Sequence, residues 1–125
     1  MNLTSAFLLS QAVLPVMLQQ RHGRIVHVAA RAALEPFAGA AAYIVSKAGL
    51  VGLIRTLSSE LEGSGVTVNA VLPSTIDTPA NRQALPAADH SKFVQPESIA
   101  QVVLFLASEE ARDVNGAAVP IYGEG

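Results

Sequence analysis

A tyrosine and a lysine stand four residues apart in the segment AAYIVSKAGL, residues 41–50, which is otherwise almost wholly apolar. On a helix, the side chains of Tyr43 and Lys47 would point the same way. A nearby ammonium favours the phenolate form and lowers the pKa of a tyrosine from about 10. Such a tyrosine can donate a proton to a carbonyl oxygen or accept one from an alcohol. A tyrosine and a lysine at this spacing also occur as a simple contact on a protein surface. Features elsewhere in the sequence are needed to distinguish a proton-transfer pair from a surface contact.

Alternating helices and strands would position this pair. Three helices are predicted from apolar residues at helical spacing, over Asn2–Gln20, from about Ala41 to Glu62, and from Pro96 onward. Three strands are predicted from short β-branched runs, over Arg24–Ala30, Val66–Leu72 and Ala117–Tyr122. This alternation is typical of a parallel α/β sheet, so we predict about three parallel strands with flanking helices.

Proline and glycine residues and the order of the elements add detail to this prediction. Pro15 should distort the first helix, and Gly23 should end it. The first strand should be buried on both faces and should have an unpaired edge, because no strand precedes the first helix. Residues 74–95 are predicted to form a long polar loop. Arg82 and Asp89 could contact a substrate there, but a solvated loop is the preferred interpretation.

The composition excludes several classes of function. Of the 125 residues, 50% are hydrophobic and only 14% are charged, which predicts apolar surface that is covered by a partner. A net charge of −2 gives no electrostatic basis for nucleic-acid binding, and no apolar run is long enough to span a membrane. The absence of cysteine fits a cytoplasmic location. No metal site is predicted, because His22, His27 and His90 lack the spacing of metal ligands.

The order of motifs along the chain resembles the second half of the short-chain dehydrogenase/reductase family. GRIVHVAA is similar to a central strand of that family, YIVSK to its Tyr-x-x-x-Lys pair, and VTVNAVLPSTIDTP to its strand and loop V-x-V-N-x-[IV]-x-P-G-x-[IV]-x-T. Asn2-Leu3 is similar to the start of its long central helix, and NGAAVPIYGEG to its closing strand. The resemblance covers nearly the full chain. It implies that residues 1–125 form a single domain, the C-terminal half of an NAD(P)-binding Rossmann fold.

The resemblance implies roles for six residues. Tyr43 would be the general acid/base, and Lys47 would hold the nicotinamide ribose and lower the pKa of the tyrosine. Asn2 would anchor a water molecule that links the lysine to solvent, although at this position it could equally serve as a helix cap. The nicotinamide carboxamide and the pyrophosphate would be bordered by Pro73, Ile76 and Thr78, a stretch that could otherwise be an ordinary turn after a strand.

Two substitutions depart from the family pattern. The catalytic serine of the family stands thirteen positions before the tyrosine, and that position is Ala30 here. The Pro-Gly of the loop motif has become Pro73-Ser74. Dihydropteridine reductases also lack this serine, and LPSTIDTPANRQALPAAD is similar to their loop. Bacterial short-chain reductases that share the ARAAL run resemble the chain as well.

The family's glycine-rich turn, Gly-x-x-x-Gly-x-Gly, does not occur in the sequence. The resemblance therefore implies a chain that is truncated or started late, which would bind NAD or NADP poorly by itself. Two hypotheses follow, and whether the chain is an active enzyme stays open. The first is an NAD(P)-dependent oxidoreductase that reduces a carbonyl or imine-like bond. The second is a non-enzymatic fragment that forms a homodimer or higher homo-oligomer through helices 2–20 and 41–62, the helices that form the dimer interface in this family.

Overall fold

The computed structural model describes residues 2–123 and confirms the predicted α/β class, with three parallel strands and flanking helices. The main helices and strands are α1 (Asn2–Gln20), β1 (Gly23–Val28), α2 (Ala41–Glu60), β2 (Val66–Pro73), α3 (Pro79–Ala84), α4 (Pro96–Ala107) and β3 (Ala118–Ile121). Single turns of 3-10 helix lie at Arg31–Ala33, His90–Lys92 and Glu109–Ala111. Compared with the sequence prediction, α2 ends two residues earlier and β3 is one residue shorter at each end.

The strand β2 lies at the centre of the sheet. It pairs in parallel with β1 on one side, where Ile25 lies beside Val68, and with β3 on the other, where Val71 lies beside Val119. All eight residues of β2 are buried. One face of the sheet packs against α1 and α2, and the other packs against α4. Burial on both faces explains why this strand is an almost continuous apolar run.

The strand β1 lies at an edge of the sheet, and within residues 2–123 it pairs only with β2. The prediction of an unpaired edge is therefore confirmed. The prediction that β1 is buried on both faces is wrong, because Val28 is 50% exposed. As an edge strand, β1 has a neighbour on one side only, and α4 covers only part of its second face. Ala29 continues the ladder past the end of the strand, since its N–H donates to the Val71 carbonyl at 2.9 Å.

The helix α1 is continuous through Pro15 and ends at Gln20. The prediction that Gly23 ends it is wrong, because Arg21 takes the left-handed conformation at φ 54°. The N–H groups of Arg21 and His22 donate to the carbonyls of Leu18 and Met17, both at 3.2 Å. This is the Schellman motif, which usually places glycine where Arg21 stands. Position 23 has no room for a side chain, because a Cβ there would lie 2.5 Å from the sulfur of Met17.

Replacing Arg21 by glycine should stabilise the fold. The left-handed conformation costs a non-glycine residue about 1–2 kcal/mol, while glycine adds about 0.5–1 kcal/mol of backbone entropy cost, so the net gain should be about 0–1.5 kcal/mol. Urea denaturation would measure it as a higher midpoint at unchanged slope. The control is Arg55→Gly inside α2, which should lose about 1 kcal/mol. A loss of stability in Arg21→Gly would contradict the assignment of Arg21 as a strained cap.

The segment predicted as a long loop, residues 74–95, contains ordered structure. Thr78 caps the short helix α3 by accepting a hydrogen bond from the Asn81 N–H at 3.1 Å, and Pro79 takes the first helical position. Asp77 accepts from the Arg82 side chain at 2.6 and 3.0 Å and from the Gln95 amide at 2.9 Å. These hydrogen bonds, and above all those from Arg82, lower the pKa of Asp77 to about 2. The whole segment is thereby fixed over the carboxyl end of the sheet.

Candidate active site

A cavity of about 740 Å³ opens at the carboxyl ends of β1 and β2. Parallel α/β folds bind ligands at this edge, and the volume is within the usual range for a small-molecule site. Its walls come from the end of β1 and the turn after it, from the first two turns of α2, from the end of β2, and from residues 74–95. The lining residues include Val28, Ala29, Ala30, Arg31, Glu35, Phe37, Tyr43, Lys47, Pro73, Ile76, Asn81, Leu85, Asp89, Lys92 and Phe93.

The predicted proton-transfer pair lies on one wall of this cavity. Lys47 donates a hydrogen bond from its ammonium to the Val28 carbonyl at 3.2 Å. The same nitrogen lies 5.9 Å from the centre of the Tyr43 ring. Burial lowers the pKa of Lys47, because it disfavours the charged form. Tyr43 remains 45% exposed, so its ring faces the open space of the cavity.

The other predicted residues fall into three groups. Pro73 ends β2 and lines the cavity, as does Ile76, which forms a parallel bridge with Val94. Thr78 does not line the cavity, and its hydroxyl caps α3. Asn2 begins α1, but its side chain lies outside what the structure describes. The structure thus brings four of the six predicted residues to one cavity.

The position of the missing serine is also part of the cavity wall. Ala30 lines the cavity and is 8% exposed, and its neighbour Ala29 lines it too. Ser74, which replaces the glycine of the loop motif, donates its hydroxyl to the Tyr122 carbonyl at 3.1 Å. At the serine position itself, the wall therefore presents a methyl group to the cavity.

A charged cluster beside Ala30 was missed by the motif analysis. Arg31 donates to both carboxylate oxygens of Glu35, from Nε at 2.8 Å and from Nη2 at 3.3 Å. Its guanidinium carbon lies 4.5 Å from the centre of the Tyr122 ring. Burial, and then the charge of Glu35, raise the pKa of Tyr122. The spacing of four between Arg31 and Glu35 was a readable signal, whereas the contact with Tyr122 joins distant parts of the chain.

The remaining titratable groups have structural contacts. His27 lies on β1, and its Nε2 is 3.2 Å from the Ser10 hydroxyl, which agrees with a core histidine. Burial lowers the pKa of His27. Among residues 2–123 there is no group of three or more side chains that could hold a metal ion. The helices of this part of the chain include none that is both long and apolar enough to cross a bilayer.

Comparisons with known proteins agree on one family. A family profile described as enoyl-(acyl carrier protein) reductase matches residues 1–123. The 3-oxoacyl-[acyl-carrier-protein] reductase of Thermotoga maritima is 39% identical over 130 residues, which cover 98% of this chain and 53% of that protein. A (2S)-[(R)-hydroxy(phenyl)methyl]succinyl-CoA dehydrogenase subunit of Thauera aromatica is 40% identical over 131 residues, with 98% and 53% covered. The chain spans about half the length of these relatives.

Solved structures share the fold closely. A candidate NAD(P)-dependent gluconate 5-dehydrogenase from Beutenbergia cavernae, with bound NADP, superposes with a TM-score of 0.90 at 32% identity, covering 98% of this chain and 53% of that one. A variant of the actinorhodin polyketide ketoreductase with NADPH gives 0.88 at 30% identity, with 98% and 55% covered. The resemblance to dihydropteridine reductases finds no support among these relatives.

Proposed function

Because the chain belongs to the short-chain dehydrogenase/reductase family, we propose that it contributes the proton-transfer wall of an NAD(P)-dependent reductase that acts on a carbonyl group. The observation that carries this proposal is the placement of Tyr43 and Lys47 on one wall of the cavity, with the lysine held at 3.2 Å from the Val28 carbonyl. Tyr43 protonates the substrate oxygen during reduction and removes the proton in the reverse reaction. Lys47 places its ammonium 5.9 Å from the centre of the Tyr43 ring, on the same wall of the cavity.

The cavity fits the nicotinamide end of a dinucleotide. Among the described residues Lys47 makes one hydrogen bond with its three donors, which leaves donors that can hold ribose hydroxyls. Pro73 and Ile76 supply an apolar wall on which a flat ring can lie. The bound nicotinamide supplies the hydride. The sequence contains no glycine-rich turn for the pyrophosphate, so we expect weak binding of NAD or NADP by this chain alone.

The names of the relatives favour a 3-oxoacyl thioester as the substrate. Several of the curated relatives are 3-oxoacyl-[acyl-carrier-protein] reductases, and a structural relative is a polyketide ketoreductase. Phe37 and Leu85, which are 59% and 45% exposed, line the same cavity as Tyr43 and present apolar surface. This surface suits the hydrocarbon part of an acyl chain.

The proposal is tested by cofactor titration followed by turnover. NADH and NADPH are titrated into the purified chain while the fluorescence of the reduced nicotinamide is recorded, and oxidation is then measured with the N-acetylcysteamine thioester of 3-oxobutanoate. Saturable binding with turnover supports the reductase. An absence of binding at millimolar cofactor would refute an autonomous reductase and leave the chain as a structural fragment.

Restoring the serine tests how much the site depends on a hydroxyl at position 30. Removing one hydrogen-bond donor to a developing oxyanion typically lowers kcat by about 10²–10³-fold. We therefore expect Ala30→Ser to raise kcat by at least about 10-fold in the thioester assay, less than the full effect because the site has not been built around this hydroxyl. The matched control is Ala29→Ser, which adds the same hydroxyl to the neighbouring residue of the cavity wall and should not raise kcat. An unchanged kcat in Ala30→Ser would mean that the site works without this donor.

A second candidate function is self-association without catalysis, and the exposed apolar side chains of α1 and α2 favour it. Leu9 and Val45 are 65% and 67% exposed, and Phe7, Leu8 and Val16 are more than half exposed. Several exposed apolar side chains on the same two helices indicate a protein–protein contact. We propose a homodimer or higher homo-oligomer through helices 2–20 and 41–62.

Sedimentation velocity at micromolar concentration tests the self-association. Leu9→Glu should shift the chain towards the monomer, because it places a carboxylate in the apolar surface of α1. The control is Leu104→Glu on α4, where the wild-type leucine is 71% exposed outside the two helices. A wild-type chain that sediments as a monomer would refute the proposal.

A further inference from the structure

The cavity lining includes a guanidinium and an ammonium, of Arg31 and Lys92, that the proton-transfer chemistry does not use. Its lining includes three cations, Arg31, Lys47 and Lys92, and two carboxylates, Glu35 and Asp89. The carboxylate of Asp89 already accepts two hydrogen bonds at one oxygen, from the N–H and the hydroxyl of Ser91, at 3.1 and 2.6 Å. The Lys92 ammonium has no hydrogen bond and no carboxylate within 4 Å among residues 2–123.

Arg31 belongs to the lining of the cavity. Arg31 follows Ala30 directly, and Ala30 occupies the position at which the family carries its serine. The flat face of its guanidinium lies over the Tyr122 ring, with 4.5 Å between the guanidinium carbon and the ring centre. Nε and Nη2 donate to Glu35, while Nη1 has no hydrogen bond among the described residues. An oriented guanidinium that keeps one nitrogen free to donate is well suited to bind an anionic group.

We infer that Arg31 is an anion-binding residue of this cavity, and that the carbonyl substrate carries a negatively charged group, a carboxylate or a phosphate, which Arg31 and Lys92 receive. The inference rests on the proposed function in one respect, because it takes the anion to belong to the substrate of the reductase. It adds a recognition site in the wall beside Ala30, in the same cavity that Lys92 lines.

Glu35 occupies the fork in the absence of such a ligand. The side chains of Arg31 and Glu35 are 36% and 51% exposed, and an ion pair with this exposure contributes little to stability. An incoming anion can therefore displace Glu35, which then competes with the ligand for the same donors. This competition gives the inference a distinctive consequence: removal of the Glu35 charge should strengthen anion binding, whereas removal of the Arg31 charge should weaken it.

The test compares two probes that differ only in charge. Acetoacetate and acetoacetamide have the same ketone, but only acetoacetate has a carboxylate. Binding is measured by isothermal titration calorimetry, which needs no turnover. We expect the wild-type chain to bind acetoacetate at least 10-fold more tightly than acetoacetamide. Arg31→Gln should reduce this preference to within 2-fold, and Arg31→Lys, which keeps the charge but not the fork, should give an intermediate preference.

Two further variants complete the comparison. Glu35→Gln should bind acetoacetate at least 3-fold more tightly than wild type, with acetoacetamide unchanged. Arg55→Gln removes a positive charge on α2 outside the cavity lining and should change neither probe. A third probe, 2-oxopropylphosphonate, distinguishes the two anion classes, because whichever of it and acetoacetate binds more tightly identifies the charged group.

Equal binding of acetoacetate and acetoacetamide would overturn the inference, as would no binding of acetoacetate, or a preference that survives in Arg31→Gln. These outcomes differ from a failure of the reductase proposal. If no substrate is reduced with NADH or NADPH while acetoacetate binding depends on Arg31, the reductase proposal fails and the anion site stands. If thioesters are reduced without any charge preference, the reductase stands and the anion site fails.

Discussion

Replacing Tyr43 by phenylalanine should lower kcat of carbonyl reduction by about 10²–10⁴-fold, the usual contribution of a positioned general acid. The substitution removes one hydroxyl and leaves the ring in place. Because the wild-type ring is already 45% exposed in the cavity, the change should have little effect on the free energy of unfolding. The loss should therefore be confined to the chemical step.

The measurement is steady-state oxidation of NADPH or NADH with the 3-oxobutanoate thioester, together with the Kd of the cofactor from fluorescence titration. In Tyr43→Phe we expect kcat to fall while the cofactor Kd stays within about 2-fold of wild type, which corresponds to about 0.4 kcal/mol. The matched control is Tyr122→Phe, which removes a phenol hydroxyl outside the cavity lining and should retain activity. A Tyr43→Phe chain that retains wild-type kcat would exclude this tyrosine as the proton donor.

Lys47 would act in the same step through its charge. Its ammonium is tied to the Val28 carbonyl, so its position depends on the strand as well as on α2. The sequence spacing predicts only that Tyr43 and Lys47 share a helix face. The hydrogen bond to Val28 could not be predicted from that spacing, because it depends on how closely α2 packs against the end of β1.

The sheet was predictable because local patterns and the global fold agree. The run VTVNAVLP is apolar at almost every position, and β2 is central and wholly buried. One of its two polar residues, Asn69, is fully buried but donates to the Val114 carbonyl and accepts from the Ala117 N–H, both at 2.9 Å. The asparagine thereby connects β2 to the chain that leads into β3. Periodicity could place the strand, but not this partner 45 residues away.

The helix α3 was missed although its signals were present. Thr78 before Pro79 is a typical helix start, with a capping hydroxyl and a proline in the first turn. The helix has only six residues and buries none of them, so it has no apolar periodicity to reveal it. Its stability comes instead from the hydrogen bonds between Asp77 and Arg82 and from the rest of the segment. The Arg31–Tyr122 contact was hidden for a related reason, since only the tertiary fold joins those residues.

Gly65 is the position where a single methyl group should be most damaging. It has φ +84°, and a Cβ there would lie 2.0 Å from the carbonyl oxygen of Arg21. The Gly65 carbonyl also accepts the N–H of Gly23 at 3.2 Å, so the connections into β1 and β2 run side by side at this point. Neither of these two connecting segments can move away easily, because β1 and β2 pair immediately after them.

We expect Gly65→Ala to destabilise the fold by about 2–5 kcal/mol, the sum of about 1–2 for a left-handed alanine and about 1–3 for the steric overlap. The matched control is Gly63→Ala, two residues earlier. Gly63 has a similar φ of +76°, but a Cβ there would meet nothing within 4 Å. It should therefore lose only the conformational part, about 1–2 kcal/mol.

The difference between the two variants isolates the contact with Arg21. Urea denaturation followed by circular dichroism should give two lowered midpoints at a common slope, with Gly65→Ala the lower of the two. Total stabilities of about 5–15 kcal/mol mean that the Gly65 variant loses a large share of what holds the domain folded. Equal midpoints would show that the backbone at Arg21 yields to the added methyl group, so the two connections would not be fixed against each other. A larger loss at Gly65 would instead show that this crossing holds β1 in register with β2, and thereby holds the Val28 carbonyl within reach of Lys47.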